Sequence, residues 1–181
     1  MRRTILVLIY GSLLLAFAAC SKTEQANNNA AATPSASASP ASEAKTPPAN
    51  IVIAGATEVQ ITPGGSAEAA VQLNITSGYH INANPASASF LIATTLEVER
   101  SEGFILGPPQ YPSSLTKKFK FSPDPLAVYE GEAIIKVQLK AGTDAKKGAH
   151  TLRAKVRVQP CDDQACYPPR NIETSIPVVV K

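Results

Sequence analysis

The chain has 181 residues, with Lys+Arg 17 against Asp+Glu 14, a formal net charge of +3, and no Trp. Arg2 and Arg3 sit in an N-terminal leader, so the remainder is nearly balanced, and no basic patch is interleaved with aromatics. This excludes nucleic acid as an expected partner. No Ser-His-Asp order, carboxylate pair or phosphate-cradling loop stands out, and no cofactor is expected.

Met1-Arg2-Arg3 is a positive n-region, and Ile5 to Phe17 is an apolar run of secretory-signal length. That run falls short of the roughly 20 residues that span a bilayer. Ala18-Ala19-Cys20-Ser21 resembles a bacterial lipobox, with Phe17 in place of the usual Leu. The expectation is a signal peptide over 1–19 and lipidation of Cys20, giving a membrane-anchored, periplasm-facing lipoprotein. Ser21 favours the outer membrane if the host has two. From 20 to 50 the chain is rich in Ala, Ser, Pro and Asn, with no large apolar residue before Ile51. Such a segment cannot offset its ordering entropy and reads as a disordered tether. Its typical span is roughly 30 Å, from about 5–6 Å × √n.

Residues 51–181 are enough for one core. Ala67 to Ile75, Ala133 to Leu139 and Leu152 to Val158 alternate apolar and polar residues with period two, the pattern of half-buried strands. Glu58–Ile61, Thr94–Arg100 and Ile172–Val180 are further candidates. Breakers such as Pro63-Gly64-Gly65 and Ser122-Pro123-Asp124-Pro125 separate them, and no segment carries a helical period. Seven or so short strands predict an all-β, immunoglobulin-like antiparallel β-sandwich.

With Cys20 lipidated, Cys161 and Cys166 remain as the one pair. Exported proteins keep disulfides. The pair is expected at the ends of two neighbouring strands, with Cα atoms about 5.5–6 Å apart. Pro160, Pro168 and Pro169 cannot donate ladder hydrogen bonds, which holds the segment at a sheet edge. No helix N-terminus is available to lower a thiol pKa, and Asp162 and Asp163 disfavour a Cys161 thiolate. Such a pair is suited to being attacked rather than to attacking. From spacing alone it is either a structural staple or a redox relay.

The run Cys161-Asp162-Asp163-Gln164-Ala165-Cys166-Tyr167-Pro168-Pro169 resembles the cysteine motif of the periplasmic N-terminal domain of the thiol:disulfide interchange protein DsbD. Gly78-Tyr79-His80-Ile81-Asn82, Leu91 to Leu96, Tyr111-Pro112 and Val128-Tyr129-Glu130-Gly131-Glu132 resemble its other landmarks. The resemblance implies an immunoglobulin-like fold and a thiol–disulfide oxidoreductase activity, as a component of protein-disulfide reduction. Reducing equivalents would pass from a membrane-embedded thiol reductase to periplasmic thioredoxin-like proteins, which serve misformed disulfides or cytochrome c biogenesis. It also implies that Cys166 forms the mixed disulfide and that Cys161 resolves it. Tyr167, Tyr129 and His80 are candidate neighbours of the site. Full-length members continue into further domains, so this chain's donor is expected to be a separate protein. Some members shield the site with an acidic and aromatic cap before the Tyr. Here Asp124 to Tyr129 lacks that cluster, so no proton-handling role is carried over to Asp124.

Two readings stand against the relay. One is a non-catalytic binding or assembly lipoprotein with a structural Cys161–Cys166 disulfide. The other is metal delivery by Cys and His, although no zinc-finger spacing is present and no metal is expected. His150 is expected in a turn. Lys117-Lys118-Phe119-Lys120-Phe121 reads as an exposed loop or strand edge rather than a membrane-touching patch.

Overall fold

The computed structural model describes residues 48–181. The expected signal peptide, Cys20 and nearly all of the expected tether lie outside the described residues. Among the described residues the structure is all-β, with twelve strands in three four-stranded sheets.

The first sheet orders β1 (Val52–Ala56), β3 (Ser66–Ile75), β9 (Glu132–Ala141) and β6 (Phe104–Leu106). The second orders β2 (Val59–Ile61), β12 (Arg170–Val180), β10 (Gly148–Val158) and β5 (Thr95–Val98). All pairings are antiparallel except β2 with β12. The period-two pattern explains the packing. Along β9 every second residue is buried, from Ala133 to Ala141, while Glu132, Lys136 and Lys140 stay wet. β3 and β10 do the same with Val71 and Leu73, and with Leu152 and Val156. These inner faces join in one core with Ile176 and Val178 of β12. Each fully buried Leu, Ile or Val contributes about 1.5–3 kcal/mol. The curled antiparallel sheets form the expected immunoglobulin-like sandwich.

The third sheet carries the interest. It orders β11 (Pro160–Cys161), β4 (His80–Asn82), β8 (Leu126–Tyr129) and β7 (Leu115–Lys117). Its short strands have too few residues for a periodic signal, which is why the sequence showed about seven strands and not twelve. Glycine starts β4. Tyr79 N–H bonds Thr76 O at 3.1 Å, closing a turn whose third residue, Gly78, has φ +84°. A side chain is strained at that position.

All three residues of β4 are buried. Ile81 faces the main core. By strand alternation His80 and Asn82 face the other way. Opposite them stand Cys161 on β11 and Val128 on β8. Val128 and Leu126 belong to a second, small apolar cluster with Leu91 and Phe119. β4 is thus a wall between the main core and a separate compartment.

The cysteines sit differently from the sequence expectation. The β10–β12 ladder runs from Gly148↔Val180 to Val158↔Arg170 and stops there. Gln159 then leads the chain out of the second sheet, and Pro160–Cys161 pairs with β4 in the third. Pro160, Pro168 and Pro169 flank this departure and cannot extend the ladder. The cysteines are therefore not on the ends of the β10–β12 pair. They are at a sheet edge, as the prolines required, because β11 is the outermost strand of its sheet.

Candidate functional site

Cys161 and Cys166 form a disulfide that closes a four-residue turn. They face each other as an antiparallel bridge with Cα atoms 3.9 Å apart, nearer than the expected 5.5–6 Å. The shorter span follows from direct opposition across a tight hairpin, where non-hydrogen-bonded pairs approach to about 4.5 Å.

The turn is held by its own first acid. Asp162 Oδ1 accepts the N–H groups of Gln164 (2.8 Å) and Ala165 (2.9 Å), and Oδ2 accepts the Tyr167 hydroxyl at 2.6 Å. Asp162 N–H donates to Ala165 O, and Tyr167 N–H to Pro160 O. Tyr167 is 3% exposed, and its ring lies 6.3 Å from that of Tyr79. Of the two places open to Tyr167, over the site or facing a partner, the structure gives neither plainly: the ring is buried and braces the hairpin. Replacing Tyr167 with Phe removes one charge-assisted hydrogen bond. The expected cost is about 1.5–3 kcal/mol, read as a lower denaturation midpoint with the disulfide still formed.

The two sulfurs are not equivalent. Cys161 is 0% exposed, whereas Cys166 is partly exposed and packs against the second apolar cluster. That cluster is covered by the loop between β7 and β8. Its alternation turns Phe119 and Phe121 inward, while Lys118 and Lys120 stay exposed. Lys118 Nζ bonds the Pro123 carbonyl, and Ser122 Oγ bonds Asp124 O at 2.7 Å. The cover thus comes mainly from residues before Asp124, and Asp124 itself is exposed. The expected exposed loop or strand edge holds for Lys117 on the edge strand β7 and for Lys118 and Lys120, while the covering role of Phe119 and Phe121 was missed. The period-two Phe spacing was the available signal.

His80 stands directly opposite Cys161. It is 1% exposed, its ring stacks on Phe119 at 4.0 Å, and Phe121 follows at 6.4 Å. Its Nε2 has no hydrogen-bond partner. Burial pushes the imidazole pKa below its ordinary 6.5, against the opposing pull of Glu130, Asp163 and Asp162. His80 is accordingly neutral at pH 7. One edge of it lines a surface cleft of about 380 Å³, shared with Tyr79, Lys117, Glu130 and Asp163. Lys117 and Glu130 pair there at 2.6 Å.

Beneath the site, Asn82 Nδ2 donates to Gln159 Oε1 (2.9 Å) and to Ile92 O (3.2 Å). The same Gln159 oxygen accepts Ile92 N–H at 2.9 Å. Thr94 Oγ1 donates to Asn82 O at 2.6 Å. This ties the residues that deliver Cys161 to β4 and to the following loop. Gln159 and Asn82 were not picked out as site residues, because their partners are distant in sequence. Tyr129 is core: it is buried, it faces the main cluster, and its hydroxyl accepts Asn84 N–H at 3.1 Å. Burial raises its pKa.

His150 is in β10, paired with Val178, and not in a turn. It lies at the end of that strand away from the cysteines, with Nε2 2.6 Å from Lys146 O. Among the described residues no three His, Cys, Asp or Glu side chains gather as metal ligands. Nor is any helix there long and apolar enough to cross a membrane.

No curated protein matches the chain in sequence. Among solved structures it is similar to the N-terminal periplasmic domain of ScsB from Proteus mirabilis, at 13% identity and a TM-score of 0.43. That match covers 69% of this chain and 44% of the other, so the chain spans less than half of that structure. It is also similar to the seventh ScaB type I cohesin from Pseudobacteroides cellulosolvens, at 10% identity, TM-score 0.43, covering 72% and 93% of the two chains. An ASH/PapD-like domain of human CEP192 matches at 12% identity and TM-score 0.37, covering 75% and 89%. Likenesses this distant say nothing about chemistry. The sequence profile of the family described as "Thiol:disulfide interchange protein DsbD, N-terminal" matches residues 51–176, well over half of the chain. With the disulfide on its edge hairpin in view, the chain belongs to the family of the DsbD N-terminal domain.

Proposed function

We propose that this protein is a thiol–disulfide exchange relay, passing reducing equivalents through Cys161 and Cys166 between a membrane-embedded thiol reductase and periplasmic thioredoxin-like proteins. The observation that carries this reading is the asymmetry of the pair. Cys166 is partly exposed on an edge hairpin, and Cys161 is sealed behind it. A donor thiolate attacks Cys166 Sγ, the bond to Cys161 breaks, and Cys161 leaves with the electron pair and takes up a proton. The donor's second thiolate then displaces Cys166, leaving the donor oxidised and the domain a dithiol. The reverse sequence delivers the two electrons to an acceptor disulfide.

Family membership and the disulfide support the chemistry; the partners, the direction and the roles of the two cysteines are the proposal. So is the layout: a signal peptide over 1–19, a lipidated Cys20 with a tether to 50, and the exchange domain over 51–181, facing the periplasm from a membrane. The test is to mix the oxidised full chain with a reduced thioredoxin-like protein and read the thiols at Cys161 and Cys166. The relay predicts that both appear as the partner oxidises. The staple reading draws support from the complete burial of Cys161 and from the aromatic lid. It predicts a pair that stays closed.

A further inference from the structure

We propose that His80 is the general base for Cys161, taking its proton when the resolving thiol closes on Cys166 and passing that proton to the cleft beside it. The inference rests on the relay reading and concerns how its buried half works.

The difficulty the site must solve is physical. Cys161 attacks only as a thiolate, yet it has no contact with solvent and is followed by Asp162 and Asp163. Burial and like charge both disfavour its ionisation. A base is needed inside the compartment. Cys161 and His80 are opposed residues of an antiparallel pair, so their side chains share one face with Cβ atoms about 4.5–5.5 Å apart. His80 is itself buried and has a nitrogen without a partner. A buried polar atom left unsatisfied is costly and calls for a role. Phe119 and Phe121 hold the ring by stacking. The ring also borders the cleft formed with Lys117, Glu130 and Asp163, which gives a proton on it a route to water.

The electrostatics agree with the geometry. Burial keeps the imidazole neutral and able to accept a proton at pH 7. Glu130 on the segment after β8, with Asp163 and Asp162 on the turn, favours the imidazolium once formed, and Lys117 on β7 opposes it. In the step itself, the Cys161 S–H bond breaks and its proton goes to an imidazole nitrogen. The thiolate pair attacks Cys166 Sγ in the mixed disulfide. The bond from Cys166 Sγ to the acceptor sulfur breaks, and the acceptor leaves as a thiolate. The acceptor disulfide is reduced by two electrons, the dithiol is oxidised, and the imidazolium proton leaves through the cleft to water or to the departing thiolate.

The experiment follows reduced full chain, in a Cys20→Ala background, reacting with an aromatic disulfide that releases a coloured thiolate. The first release reports attack by Cys166, and the second reports closure by Cys161. For the wild type the second stage is expected to be flat near neutrality and to fall in acid, with its inflection below pH 6.5. His80→Gln slows that stage by roughly a hundredfold at pH 7 and abolishes the inflection, leaving a rate that climbs steadily with pH. His80→Phe keeps a stacking ring but no base and behaves like His80→Gln. A variant that keeps the wild-type rate overturns the proposal. So does a slowed variant that keeps the wild-type inflection, since that loss is structural. On the unmutated protein, the ring titration of His80 followed by NMR coincides with the kinetic inflection; a mismatch overturns the proposal even if neither variant folds. Complete absence of the second release in the wild type overturns the relay and this inference together. A normal second release unaffected by His80 overturns this inference alone.

Discussion

Cys161→Ser is expected to trap a stable mixed disulfide between Cys166 and a thioredoxin-like partner, while Cys166→Ser yields none. The effect is all-or-none because the two sulfurs differ in access. Cys166 is the sulfur that the surface presents, and Cys161 is fully buried behind it. A partner thiolate must reach the sulfur it attacks, and Cys166 is the partly exposed one of the two. Without Cys161 the mixed disulfide has no resolving thiol on this side and persists. Without Cys166 the remaining thiol is sealed. The check is non-reducing electrophoresis of each variant after reaction with a partner whose single active cysteine is held as an aromatic mixed disulfide, so that Cys166 attacks that sulfur and the aromatic thiolate leaves, with the crosslinked peptides identified by mass. Trapping through Cys161 would reverse the assigned roles.

Phe119→Ala is expected to raise the rate at which a small thiol such as dithiothreitol reduces the disulfide by about ten- to a hundredfold. Phe119 is 6% exposed, stacks on His80 and anchors the apolar cluster against which Cys166 packs. Removing a buried Phe side chain costs about 3–5 kcal/mol in a core. The cluster here is small and sits under a loop, so part of that loss falls on lid closure. Each 1.4 kcal/mol lost there multiplies the open population tenfold. Stopped-flow reduction in excess thiol measures it. An unchanged rate would mean that the lid does not limit access. Phe121, less buried and farther from His80, is expected to give the smaller change.

How much of this was legible from the chain depended on element length. β3, β9 and β10 run for ten or eleven residues, long enough for alternation to declare both the strand and its inner face. The sandwich followed from them. β4, β7, β8 and β11 have two to four residues each, too short for any period, and they carry the site. The cysteines were plain in the motif, and so was the edge position, because proline removes a donor wherever it stands. Their exact sheet was not, since pairing of Cys161 with His80 joins residues far apart in the chain and only topology brings them together. Asp162 was read through its charge, whereas its geometry shows a turn brace. Lys117 to Phe121 drew notice for its lysines, although the phenylalanines do the covering.

The most direct measurement is the reduction potential of the Cys161–Cys166 pair in the full chain. Thiols are trapped across a graded redox buffer and quantified at each cysteine by mass. The relay predicts a midpoint between about −180 and −270 mV, the range of exchange proteins such as protein disulfide isomerase and thioredoxin. A midpoint below about −300 mV, where structural disulfides lie, would contradict it and leave the pair a staple.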